Sequence, residues 1–151
     1  KARICLRCNH SFPENCFRKN QEECVWCQFA SPKFRAECRF QDKLKQDRWP
    51  VKLSKASFIH WYINQPDQCH YCKTPYSDLR LLRLDRFRGK YVSWDIDRKD
   101  SNKPYQLRNL ALACFVCNTA KGNWFNEHQV MAIGKAVRGV FREMIKNQNG
   151  G

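Results

Sequence analysis

The sequence predicts a small α+β fold held together by zinc, and three observations point there. Four C-x-x-C pairs recur along 151 residues, the apolar content is thin, and short β-forming runs sit among helical patterns with no internal repeat beyond the cysteine knuckles. The length allows one compact domain, or one with a small appended module. Leu, Ile, Val and Phe number 33, about 22% of the chain, little above the ~20% below which chains tend to disorder. Such a core needs help.

The cysteines supply it. No run approaches the ~18–20 apolar residues of a membrane span, and the opening KARICLRC lacks an apolar signal stretch. We therefore expect a soluble, cytoplasmic chain whose thiols stay reduced. Eight of the ten cysteines form the pairs Cys5/Cys8, Cys24/Cys27, Cys69/Cys72 and Cys114/Cys117. Two pairs make one tetrahedral thiolate cage, so two structural zinc ions are expected, each contributing folding energy. The first two pairs lie 15 residues apart, a zinc-ribbon interval, and should close one site; the others, 41 apart, then close a second. Cys16 and Cys38 remain as small buried thiols, with His10 or Cys16 able to replace a member of the first cage. A thioredoxin-like redox role would need a βαβ pattern, and none is visible.

Element by element, residues 1–31 read as an N-terminal zinc module covered by Phe12, Phe17 and Trp26. Residues 32–66 read as a basic helix or arm, followed by a short helix. Between Lys33 and Lys55 the basic residues include Lys33, Arg35, Arg39, Lys43, Lys45, Arg48 and Lys52, against three acids. The stretch suits a phosphate backbone, and a solvated helix face is the alternative. Ser54 caps the short helix, which runs through Ile59 and Trp61 and ends near Pro66. Residues 67–147 read as the main core. A hairpin is expected over Leu79–Asp97, turning at Gly89, with Arg80, Arg83, Arg86, Arg88 and Lys90 available to phosphate. A strand over 109–114 leads into a knuckle and helix. Asn126 caps a final helix whose stripe of Val130, Ile133, Val137, Val140, Phe141 and Met144 makes a core or dimer face. The net charge of +14 and a pI near 9.6 point to a polyanion as partner, with solubilising charge the alternative. That charge is spread along the chain, unlike a membrane-surface helix.

The block WDIDRKDSNKPYQLRNLALACFVCNTAKGN, residues 94–123, carries the chemistry. An acid ends a strand, Asn109 precedes the next, and Asn118 follows a knuckle cysteine. This skeleton resembles the ββα-metal fold of the HNH endonucleases. A resemblance to rare-cutting restriction enzymes of this family runs over about residues 3–140, through CLRC, CVWC, SKASFIHWY, CHYC, DRKDS and LACFVCN. The HNH resemblance implies that Asp97 and Asn118 hold one divalent metal on the scissile phosphate and that Asn109 braces the loop. It also puts Arg98 at the usual histidine base position, and an arginine cannot take a proton from water. Rare-cutting restriction enzymes of this family carry an Asp-Arg pair and place a tyrosine between the central zinc cysteines to act on the water; Tyr71 stands there. His70 is the rival base and His60 a weaker one. The same enzymes carry a histidine where this chain has Trp49. Asp95, on the same strand face as Asp97, could join or replace it as a ligand, whereas Asp100 reads as a turn residue. Lys121 reads as a phosphate contact or a solvated lysine. Asp and Asn oxygens select magnesium or manganese, leaving zinc to the thiolates.

The resemblance thus implies a sequence-specific, restriction-type endonuclease on double-stranded DNA, with one catalytic metal per site and two copies to cut both strands. A cognate methyltransferase could protect a host genome. A nicking or homing nuclease of the same fold is one alternative, and a catalytically silent zinc DNA-binding module the other.

Overall fold

Each four-cysteine cage, able to hold a zinc ion, is assembled from one tight knuckle and one helix start. In a computed structural model, which describes residues 1–44, 53–84, 86–87, 90–91 and 94–151, of which 43–44, 86–87 and 90–91 by backbone alone, the two knuckles share one backbone turn. The amide after each second cysteine bonds back to the first: Asn9 to Cys5 at 2.8 Å and Lys73 to Cys69 at 2.9 Å. Asn9 and Lys73 accordingly take left-handed φ values of 57° and 58°. The partner pairs sit on helix N-termini. Cys24 caps α1 (Val25–Phe29) and Cys114 caps α5 (Phe115–Lys121), so Cys27 and Cys117 fall in the first turn. Cys5, Cys8, Cys24 and Cys27 bring their sulfurs within 4.8 Å of one another, and so do Cys69, Cys72, Cys114 and Cys117. These are the two expected cages. Neither His10 nor Cys16 joins the first: His10 Nδ1 lies 2.7 Å from the Cys8 carbonyl and Cys16 Sγ donates to Asn15.

The N-terminal cage has its own small core of Cys5, Phe17 and Cys24, beside the pair β1 (Ala2–Ile4) and β2 (Ser11–Pro13). The larger core belongs to the rest. In it α2 (Pro32–Leu44) packs on α3 (Lys55–Ile63) through Phe40 and Phe58, whose ring centroids are 5.6 Å apart. Ser54 caps α3 by accepting from the Ser57 amide. The basic stretch thus begins as a helix laid on the core, with Ala36 and Phe40 buried beneath it.

The expected hairpin is shorter than the sequence suggests. Leu79 and Leu82, three residues apart, are both buried, a helical spacing: Leu79 lies in α4 (Tyr76–Leu81) and Leu82 is its C-cap. Arg80 consequently leaves the hairpin and lies over Trp26, with Nη2 donating to the Trp26 carbonyl at 3.0 Å. Arg83 falls in the turn after α4. The hairpin comprises β3 (Arg86–Phe87) and β4 (Lys90–Tyr91); Arg88 and the Gly89 turn lie outside the described residues, as do the side chains of Arg86 and Lys90.

The remaining strands pair with each other. β5 (Asp95–Arg98) runs antiparallel to β6 (Leu110–Ala113), with Asp95 opposite Ala113 and Asp97 opposite Ala111. Then α5 crosses β5, giving β-β-α in chain order with the second cage at its turn. The capping box of Asn126 and Gln129 opens α6 (Glu127–Asn149). Of its apolar stripe, Val130 and Phe141 are buried and Val137 packs on the core, while Val140 and Met144 are exposed. Gly134 faces inward: a Cβ there would stand 2.5 Å from the Tyr71 carbonyl oxygen. Among the described residues no helix is long and apolar enough to cross a membrane.

Candidate active site on the ββα element

Alternation along β5 sends Ile96 into the core and puts Asp95 and Asp97 together on the face that α5 covers. On α5, Asn118 and Lys121 are three apart and share a side of the helix. The two pairs meet in order. Asn118 Nδ2 donates to Asp95 Oδ2 at 3.0 Å, and Lys121 Nζ reaches Asp97 Oδ1 at 3.2 Å. Asn118 is thus joined to Asp95 rather than directly to Asp97.

Asp97 is the centre of the arrangement. It is buried, and its second oxygen accepts from Tyr71 Oη, carried in by the central knuckle. Burial, followed by the bond to Asp97 and the negative charges of Asp97 and Glu127, holds the Tyr71 phenol well above its ordinary value. Tyr71 is therefore a hydrogen donor to Asp97 here. Lys121 is 1% exposed, and besides Asp97 its ammonium donates to the Arg98 carbonyl at 2.8 Å and Ser101 Oγ at 2.9 Å. This corrects both readings of Lys121 as an outward-facing residue: a buried carboxylate draws the ammonium inward.

The neighbours of this centre hold it in place. His70 lies edge-on to Tyr71 with ring centroids 5.1 Å apart, and its Nε2 is 2.7 Å from Glu127 Oε1 at the start of α6. Arg98 sends Nη1 to the Lys103 carbonyl at 3.2 Å and lies over the Tyr105 ring. Asn109 is buried beneath the same loop. Its Oδ1 accepts from the Asp100 amide, and its Nδ2 donates to the carbonyls of Asp100 and Pro104. Asp100 accepts from the Asn102 amide and pairs with Lys103, which holds its carboxyl below the usual range. His60 is exposed on α3, beside Asn64.

Two further cations are corrected. Arg35, expected on phosphate, is fully buried: Nη2 pairs with Asp67 at 2.6 Å, Nη1 donates to the Phe29 carbonyl, and the guanidinium stacks over Tyr76. Arg39 turns toward β5, donating to the Trp94 carbonyl at 2.7 Å and to Asp95 Oδ1 at 2.8 Å. In both cases a carboxylate of the fold itself takes the charge. Lys33 is exposed. The side chain of Lys43, and Lys45, Arg48, Trp49 and Lys52 entirely, lie outside the described residues. Sequence reasoning passed over Arg39 as a partner of Asp95, and also Ser101, Glu127 and Gly134. Only Glu127 carried a signal, its place in the first helical turn.

No family model matches the chain, and no curated protein matches it. Among solved structures it matches that of the rare-cutting HNH restriction endonuclease PacI, an enzyme reported to exhibit a mechanism of DNA perturbation. The two superpose with a TM-score of 0.62 at 24% identity, over 94% of this chain and 97% of that one. The chain has the PacI fold. At 94% coverage the match spans both the N-terminal module and the ββα element, so the likeness to PacI covers the whole architecture rather than one cysteine knuckle.

Proposed function

We propose that the protein is a divalent-metal-dependent endonuclease acting on double-stranded DNA. The observation that carries this reading is the buried Asp97 carboxylate on the ββα strand, faced by the phenol of Tyr71 and the amine of Lys121. PacI, of the same fold, is an HNH restriction endonuclease.

The donors suit a hard cation. Asp97, Asp95 and the Asn118 amide offer oxygens of the kind a hard cation takes, and the Lys121 ammonium stands against Asp97 where such a cation would displace it. Asp97 and Asn118, with Asp95 beside them, would hold magnesium or manganese, which supplies polarisation of the phosphoryl oxygen, neutralisation of the leaving 3′ oxygen and uptake of the Asp97 charge. The residues do the rest. Tyr71 Oη can take a proton from water only as the phenolate, so its own proton would first leave to solvent, a loss that the positive charges of the bound metal and of Lys121 would favour. His70, fixed by Glu127, is the alternative acceptor. Arg98 and Asn109 keep the 99–106 loop in register beside the strand.

Restriction-type cleavage of both strands calls for a homodimer, for which the exposed Val140 and Met144 of α6 offer an apolar face. In this reading the enzyme works in the cytoplasm, beside a methyltransferase that protects host DNA. Incubation of the purified protein with plasmid DNA and magnesium or manganese, followed by sequencing of the ends, is the test. Discrete metal-dependent ends sharing one motif are expected. Intact DNA that still shifts on a gel would replace this reading with a silent binding module.

A further inference from the structure

Beside Asp97 lies an open groove of about 880 Å³, bounded by the 98–103 loop, Arg108 and the turn between α5 and α6. Two of its features go beyond the chemistry above. One is charge: Arg98, Lys99, Lys103 and Arg108 line it, while its acids are engaged, Asp100 by Lys103 and Glu127 by His70. Lys99 and Arg108 have no acidic partner among the described residues. The other is Trp124. The residue is 88% exposed, beside Phe125 at 41%, although a side chain of this size is ordinarily kept from water.

The turn that carries Trp124 is built to project it. Gly122 takes φ 48°, and the amides of Trp124 and Phe125 bond back to the Lys121 carbonyl. A Cβ at Gly122 would come within 3.1 Å of the indole Cδ1. The groove is joined to the candidate active site by two residues. Arg98 follows Asp97 in the chain, and Ser101, which lines the groove, accepts from the amine of Lys121.

Cations flanking a bare aromatic face fit a nucleic-acid strand better than a protein surface, because the cations suit phosphates and the ring suits a base. A fully paired duplex hides the faces of its bases. An indole standing in such a groove finds a partner only where a base is out of the stack. We propose that this groove binds the DNA strand next to the scissile phosphate, with Lys99 and Arg108 on its phosphates and Trp124 stacked on an unpaired base. The proposal rests on the nuclease reading and adds a site to it.

The test uses the full-length zinc-loaded protein in buffer without added magnesium, and two duplexes of one length, one fully paired and one with a single unpaired base. The wild type is expected to bind the second about tenfold more tightly, since the unstacking is already done. Trp124→Ala should erase that preference and Trp124→Phe retain most of it, with melting temperatures unchanged because the side chain is exposed. If Trp124→Ala kept the wild-type preference, or the wild type had none while cutting DNA, the groove proposal would fail and the nuclease reading stand. Failure to bind or cut any DNA would overturn both.

Discussion

Asp97 bears more of the proposed chemistry than any other side chain, and its two oxygens have separate tasks. One faces the Tyr71 hydroxyl and the other the Lys121 amine. Asp97→Asn keeps the shape and removes the charge. It should lower cleavage by at least about 10²–10³-fold while DNA binding survives in a gel shift. It should also cost about 3 kcal/mol in urea unfolding, because the Lys121 ammonium is left buried without its counter-charge. Retained cleavage would remove Asp97 from the metal site. Tyr71→Phe isolates the proton acceptor: a loss of about 10²–10⁴-fold in turnover with unchanged binding is expected, and near-normal turnover would shift the role to His70. At this scale the sequence was an uneven guide. The order of Asp97, Asn109 and Asn118 along strand, loop and helix was legible because a motif fixes it, while their metal-holding and bracing roles belong to the proposed function. Arg35 and Arg39 were not, since a guanidinium reads the same whether it meets a phosphate or a buried Asp67. Lys121 likewise follows Asn118 in sequence with nothing to say which way it points.

Elements carry a different lesson. The cages were legible from spacing alone, because tetrahedral thiolate coordination demands pairs of pairs. The hairpin was misread at its start, where Leu79 and Leu82 follow a helical period within a run of β-forming residues. The two cages share a knuckle-plus-helix construction but differ in cover. All four cysteines of the second are buried, whereas Cys8 and Cys27 of the first are half-exposed. The first backs a satellite core and the second lies under the site. Cys27→Ser should therefore release one zinc by colorimetric assay and leave the main unfolding transition in place, while Cys72→Ser should abolish that transition. Loss of the whole fold in both variants would show the N-terminal module to be integral to the core.

For the whole molecule, the larger core also sets a limit at high pH. Burial pushes the Tyr62 phenol up to about 12, against the opposing charge of nearby Arg35. The unfolded chain ionises this tyrosine near its ordinary value of ~10, the folded chain two units later. Its contribution is therefore complete below pH ~10 and is lost as pH rises toward 12, at most ~2.7 kcal/mol. Urea midpoints measured across that window should fall for the wild type and fall less for Tyr62→Phe; parallel curves would show that Tyr62 does not control the alkaline limb.

The contact of α6 with the central knuckle has a consequence for tolerance to mutation. Gly134 has no functional group and touches no substrate in any reading above, yet the space for one methyl there is already filled by the Tyr71 and Cys72 backbone. Any larger residue must push the helix or the knuckle aside, and the knuckle carries both cysteines of the second cage and the phenol aimed at Asp97. The chemically blankest position of α6 is thus the one where the smallest change would reach furthest, and a random-mutation screen for lost cutting would find it alongside the residues that do the chemistry.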